Sequence, residues 1–328
     1  MRVLVLGGTR FIGPHVVRDL AERRHDVTIV HRGETEAELP ETVRHVHADF
    51  DAMPLDELRA LEPQVVVDMV PLVRADAARL RAFAGVAERA VAVSSADVYR
   101  AFGRLRRSEP GAPDPVPLAE DAPLRTIVID PGYDKVGVEE ELTRDDELPL
   151  AILRAPAIHG PRDRQHRLRE YALRMVDGRP AILLDERIAG WRWVRGYVEN
   201  VAAAVVAAVE RAPAGHRIYN VADDSQHAEA EWVRRIAAVA GWNGELVVVP
   251  AGSAPASADL DELDLAQDIV LDTTRIRTEL GWREPIHEAE GIRRTLEWEL
   301  AQPDDGPRRD YDAEDALIER ISSSGTRT

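Results

Sequence analysis

A doubly wound α/β fold, with a parallel sheet covered by helices on both faces, is predicted by three features of the first 155 residues. Short, nearly all-apolar β-branched runs recur along the chain. They alternate with stretches whose apolar residues fall at helical spacing, and the first run opens straight into a glycine loop. Right-handed crossovers between such strands place ligands at their carboxyl ends.

In chain order the strands are RVLVL, DVTIV, VRHVHA, QVVVDMV, RAVAVSS and LAILRA. FIGPHVVRDLAERR and PLDELRALE lie between them with helical spacing. Beyond Arg154 the pattern loosens. GPRDRQHRLREYALRMVDGRP reads as a helix closed by Gly-Arg-Pro, RWVRGYV as a strand, ENVAAAVVAAVERA as an alanine-rich helix and HRIYNVAD as a further strand. AEAEWVRRIAAVAG, ELVVVP and GIRRTLEWELA then predict helix, strand and helix. This divides the chain into a sheet domain over 1–155, with return elements at about 191–222, and a smaller C-terminal α/β substrate domain over 156–190 and 223–328. Residues 251–266 and the last twenty or so, polar or poor in aromatics, read as loop and tail.

The chain has 328 residues, 45% hydrophobic and 31% charged, the composition of an ordinary soluble globular protein. Its formal charge of −17 argues against a polyanion such as nucleic acid as partner, because phosphate neutralisation needs clustered cations. With no cysteine, disulfides and thiolate metal sites are excluded. RVLVL is too short for a signal peptide or a membrane span, so the expected location is the cytoplasm, without a membrane partner.

The loop LGGTRFIGPHVV joins the first strand to a helix. Gly7 permits the tight turn, Gly13 lets the helix approach the strand, and the amides around Thr9, Phe11 and Ile12 suit a pyrophosphate. Arg10 stands where a middle glycine would admit the phosphates, so its side chain must turn away or contact them itself. The second strand ends in VHRGE. Dinucleotide enzymes that bind a ribose 2′-hydroxyl place an acid here, whereas Arg32 suits a 2′-phosphate, so NADP is preferred over NAD. Asp49 and Phe50, ending the third strand, are placed for the adenine. His45, His47 and Asp49 alternate onto one face and could ligate zinc, but a strand packed on both sides offers no further ligand. Packing plus adenine contact is the reading, and no metal is expected.

The motifs GGTRFIG, ADFD, VSSADVYR, a lysine-bearing helix ending in Glu139, LRAPAIHGP, YVENVA, YNVAD and DTTRIRTELGW follow one another in an order that resembles the extended short-chain dehydrogenase/reductase family, and within it the NAD-dependent epimerase/dehydratase branch. The resemblance implies a Rossmann fold and hydride transfer at a hydroxyl or carbonyl carbon of a sugar, nucleotide sugar or polyol-like small molecule. It also implies cofactor contacts from Met69, Val70 and Pro156, and a homodimer. Lys135, the sole lysine of the chain, would hold the nicotinamide ribose and lower a tyrosine pKa, a task for a compact ammonium rather than a planar guanidinium. Ser95 would polarise the substrate oxygen. The family's tyrosine belongs four residues before the lysine, where this chain has Pro131; Tyr133 can replace it if the helix begins after Pro131-Gly132. Tyr99, Asp97 and His159 are the other proton-transfer candidates. Asp97 would remove a proton beside a carbonyl or cap the following turn. On the substrate side, Tyr99, Arg162, Trp193 and Arg195 are the candidates. Trp193 occupies the position of the family's diphosphate-gripping arginine, Arg195 is its nearest replacement, and Ala157 stands where nucleotide-sugar enzymes carry asparagine. A non-catalytic dinucleotide-binding sensor or scaffold, or an RNA-binding relative sharing the GGTRFIG loop, is the alternative.

Overall fold

The computed structural model describes residues 1–255, 257–303 and 310–324. In chain order the elements are β1 (Arg2–Leu6), α1 (Gly13–Glu22), β2 (Asp26–His31), β3 (Arg44–His47), α2 (Leu55–Ala60), β4 (Val65–Asp68), α3 (Ala77–Arg81), β5 (Arg89–Ser95), α4 (Arg100–Leu105), α5 (Lys135–Leu142), β6 (Leu150–Ala155) and β7 (Ala157–His159). There follow α6 (Arg169–Val176), β8 (Ala181–Asp185), α7 (Glu186–Ala189), β9 (Arg195–Tyr197), α8 (Val198–Arg211), β10 (Arg217–Asn220), α9 (Glu229–Ala240), β11 (Glu245–Val249), α10 (Thr274–Glu279), α11 (Glu288–Ala301) and α12 (Asp312–Ser324).

Seven strands form one parallel sheet in the order β10-β6-β5-β4-β1-β2-β3, the doubly wound topology. Its two faces follow from strand alternation. Val3 and Val5 of β1 join the core beneath α1 and α8, whereas Leu4 and Leu6 join the opposite core with Leu58, Leu80, Phe83, Val138 and Leu142. On the first face Val16, Val17 and Leu20 of α1 meet Val201, Ala204, Val205 and Ala208 of α8. The alanines of α8 keep that helix thin, so it packs closely against both α1 and the sheet.

Three features depart from the sequence reading. β3 is the edge strand, paired only with β2, and His45 and His47 are exposed, so packing on both sides does not account for them. β8, which no motif marked, pairs with β11, while β7 pairs with β9 beside the main sheet. The C-terminal segment carries a helix rather than tail alone. α12 docks through Glu314 on Arg174, Asp315 on Arg179 and Tyr311 beneath the Arg179 guanidinium, contacts that no apolar periodicity announces. Among the described residues, no helix is long and apolar enough to cross a membrane.

Candidate active site

The carboxyl end of the sheet opens on the glycine loop. Gly7 and Gly8 hold φ of +100° and +104°, which L side chains rarely adopt. A Cβ on Gly13 would lie 2.5 Å from the Gly8 Cα, and one on Gly7 would lie 3.1 Å from the Met69 Cβ. The loop is thus a backbone cradle squeezed between α1 and the residues following β4, which suits a dinucleotide pyrophosphate. Thr9 is buried, and Phe11 and Ile12 rest partly buried on the core below. Val70 follows Met69 and donates its amide to Asp68 (2.9 Å). Pro156, buried after β6, leaves no room for a Cβ on Gly196, which would approach its ring to 2.8 Å.

Arg10 turns away from the cradle toward the loop after β2, where it donates to Thr35 (3.1 Å) and pairs with Glu34 (3.2 Å). Arg32 pairs with the same Glu34 carboxylate (2.9 Å), so two guanidiniums share one acid at the end of β2. Asp49 is exposed, and Phe50 lies half-buried with the Arg79 guanidinium 5.1 Å from its ring centre.

The central side chains converge from β5 and the start of α5. Pro131 and Gly132 make a turn, the Asp134 side chain caps α5 by accepting from the Gly137 amide (3.1 Å), and Lys135 is the first helical residue. Tyr133 therefore precedes the helix and escapes its angular constraint. The Lys135 ammonium lies 5.4 Å from the Tyr133 ring centre and donates to the carbonyls of Pro71 (2.6 Å) and Val93 (3.0 Å). An ammonium has three protons, so two backbone bonds aim the lysine and leave one to give.

The Tyr133 phenol faces Ser95 and Asp97, near enough for both side chains to act on it. Asp97 does not cap its turn. Ser95 does so, accepting from the Asp97 amide (3.3 Å), which leaves the Asp97 carboxyl turned inward with Oδ1 buried and unpartnered. Arg125 holds this turn by donating to the Asp97 carbonyl (2.9 Å). Burial pushes the Asp97 carboxyl up from its usual range. Burial, and then the Asp97 charge, push the Tyr133 phenol well above its ordinary value, the reverse of the lowering expected from the lysine. Burial brings Lys135 down to about 8.

Behind this cluster lies a buried polar network that the sequence reading missed. Arg154, 1% exposed in an otherwise apolar strand, forks onto Glu139 (2.7 and 3.1 Å) and donates to the Tyr99 hydroxyl (2.9 Å) and the Glu120 carbonyl (2.8 Å). Ser94 also donates to Glu139 (2.6 Å), and Tyr99 donates to Asn220 (2.6 Å). Tyr99 is therefore an interior residue, 0% exposed and bonded on both sides of its hydroxyl, and does not line the substrate space assigned to it. The one available signal was an arginine inside LAILRA, since a strand buried on both faces carries a charge only when that charge is paired.

Arg195 is likewise not a free anion clamp: Glu229 holds it at 2.7 Å, both side chains largely buried. Trp193 is half-buried, edge-on to Trp191 (4.9 Å) and Phe102 (6.5 Å), in the apolar cluster that includes Ala96 and Val98 beside the central side chains. Arg162 is exposed in a left-handed turn at φ 71°. His159 is fully interior, bonded to Thr295 (3.1 Å), and burial brings its pKa down to about 3, so it does not join the cluster.

Comparison with known proteins accords with this geometry. The profile of the NAD dependent epimerase/dehydratase family matches residues 3–222. The chain is 32% identical over 307 residues to a 3-diazoavenalumate denitrifying reductase of a Streptomyces species, covering 88% of this chain and 97% of that protein. It is 33% identical over 222 residues to the 2′-dehydrokanamycin reductase of Streptomyces kanamyceticus, covering 65% and 59%. Among solved structures, the Thermus thermophilus UDP-glucose 4-epimerase in complex with NAD shares the fold at a TM-score of 0.65 and 24% identity, covering 92% of this chain and all of that one. The Thermotoga maritima UDP-glucose 4-epimerase with UDP-glucose does so at 0.67 and 18%, covering 91% and 98%. The glycine cradle, the Ser95–Lys135 cluster and these likenesses together make the protein an enzyme of the NAD-dependent epimerase/dehydratase family, within the extended short-chain dehydrogenases/reductases.

Proposed function

We propose that the protein is an NADP-dependent reductase of a small sugar-like or polyol-like carbonyl compound. The observation that carries this reading is the position of Tyr133, which precedes α5 with its ring 5.4 Å from the buried Lys135 ammonium and its phenol facing Ser95. A phenol carries its proton at neutral pH and, placed beside the reacting oxygen, can donate it to a developing alkoxide. Ser95 hydrogen-bonds that same oxygen, and the buried Lys135 orients the cofactor ribose. Gly7, Thr9, Phe11, Ile12 and Gly13 frame the pyrophosphate. When bound, the nicotinamide supplies the hydride. The two curated relatives, each named a reductase, support the net direction.

Two departures favour a substrate without a nucleotide diphosphate. Trp193 replaces one diphosphate grip, and the charge of Arg195, its nearest substitute, is already met by Glu229. For the cofactor, Arg10 and Arg32 bracket a single carboxylate, and a 2′-phosphate can displace Glu34 from both. Fluorescence titration with NADPH and NADH, followed by NADPH consumption with a panel of keto sugars and aminoglycoside ketones, tests the reading. Arg32→Ser is expected to weaken NADPH by about tenfold or more and to leave NADH nearly unchanged. Tighter binding of NADH by the wild type, or an equal loss for both cofactors in Arg32→Ser, refutes the NADP preference. A panel in which no ketone consumes NADPH refutes the reductase.

Lys135 yields a pH prediction. A ribose hydroxyl accepts from the ammonium and poorly from the neutral amine, and burial has brought this lysine down to about 8. NADPH affinity is therefore expected to fall as pH rises through about 8, by up to about tenfold per pH unit. Lys135→Arg, which does not titrate there, should bind more weakly but with that fall removed. Its own stability term has the opposite slope: the buried ammonium penalises folding below about 8, and the penalty is relieved between 8 and the ordinary lysine value.

A further inference from the structure

At the far edge of the sheet, three histidines and a glutamate meet. His45 and His47 lie two apart on β3, hence on one face, and His47 is the register partner of His31 at the end of β2. Glu36 comes in from the loop between these strands. One ligand atom from each of the four residues falls within 4.8 Å of every other. The closest approaches are 3.0 Å between His31 Nε2 and His45 Nδ1, 3.4 Å between His47 Nε2 and Glu36 Oε1, and 3.9 Å between His45 Nδ1 and Glu36 Oε2. A zinc ion bound by nitrogen and oxygen at about 2.0–2.1 Å in tetrahedral geometry separates its ligand atoms by about 3.4 Å. The four groups are therefore close to the spacing that such an ion requires of its ligands.

We propose that His31, Glu36, His45 and His47 form a binding site for one divalent transition cation of the zinc class, tying the loop after β2 to the edge strand. Three of the side chains come from register-paired strands and the fourth, Glu36, from the loop that joins them. Imidazole and carboxylate donors without thiolate suit zinc, cobalt or nickel rather than calcium or magnesium, which take oxygen ligands. Without the ion, the Gly33 amide donates to His31 Nδ1 (3.3 Å), which puts the His31 proton on Nε2, shared with His45. Coordination through Nε2 moves that proton to Nδ1, with no net release. The long Gly33 bond is given up in exchange, and a glycine at φ +76° has the freedom to turn its amide away. The rival explanation, a solvated polar edge held by its pairwise hydrogen bonds and ion pairs, predicts no stoichiometric cation binding.

The test uses the untagged full-length protein, since a polyhistidine tag would itself bind the ion. Calorimetric titration with zinc chloride is expected to show one equivalent, and cobalt(II) chloride should develop the intense visible bands of four-coordinate cobalt. Glu36→Gln and the double variant His45→Ala/His47→Ala alter exposed side chains and should keep the metal-free melting temperature. The double variant should lose more than about 100-fold in zinc affinity, because removing even an outer-shell partner costs about 10–100-fold. Zinc should raise the melting temperature of the wild type but not of the double variant. Equal zinc binding by the wild type and the double variant, or only the pale spectrum of six-coordinate cobalt, overturns the proposal.

Discussion

Tyr133→Phe is expected to lower the rate of ketone reduction by about 10²–10⁴-fold, the range contributed by a positioned acid or base, with NADPH affinity close to that of the wild type. The phenylalanine keeps the ring beside the Lys135 ammonium and removes only the hydroxyl that faces Ser95 and Asp97. The pH profile should separate this role from a packing one. Because burial and the Asp97 charge push the phenol up, wild-type reduction should stay flat through neutral pH. Asp97→Asn removes the charge contribution and should bring the alkaline limb of the profile to lower pH. Steady-state NADPH consumption measured across pH checks both. If Tyr133→Phe retained wild-type kcat, the proton would have to come from elsewhere, with Asp97 the nearest remaining group.

Arg154→Ala is expected to destabilise the fold by about 3–5 kcal/mol, the usual result of removing one partner from a buried ion pair. Glu139 is 3% exposed and receives two Arg154 nitrogens and the Ser94 hydroxyl. Without the guanidinium its charge has, among the described residues, no cation at hydrogen-bond range, and the Tyr99 hydroxyl and Glu120 carbonyl each lose a donor. The effect should reach the active site as well. Glu139 belongs to the helix that begins at Lys135, and Ser94 precedes Ser95, so the network sets the spacing between those two side chains. Chemical denaturation measures the loss. Replacing both partners, as Arg154→Met with Glu139→Leu, should recover much of it, since a buried pair is worth far less than the damage done by breaking it. Equal destabilisation by the single and double variants would mean that packing around Arg154, rather than its charge, carries the effect.

The doubly wound sheet was legible because its determinants are local and periodic. Apolar runs such as QVVVDMV and RAVAVSS can only be strands covered on both faces, and LGGTRFIG between strand and helix has few conformational solutions. The lone lysine was legible for a chemical reason, being the one ammonium in a chain that otherwise uses guanidinium. The edge position of β3 was not legible, because strand order depends on crossovers tens of residues long. The expectation that His45 and His47 lie on a strand packed on both sides accordingly failed, since both are exposed at the edge. Tyr99 was misassigned for a related cause: a tyrosine in a functional motif looks the same in sequence whether its hydroxyl meets substrate or Arg154.

By itself the sequence determined the fold class and the glycine loop between the first strand and its helix, because each rests on residues whose roles follow from backbone geometry, and it singled out Lys135 by its unique side-chain chemistry. Only the tertiary structure decided that Tyr133 escapes the helix to face Asp97, that Arg195 pairs with Glu229, and that His31, Glu36, His45 and His47 gather with one side-chain atom from each within 4.8 Å of the others. Those outcomes depend on distances between residues far apart in the chain, and burial then sets the charge states. No local pattern encodes either one.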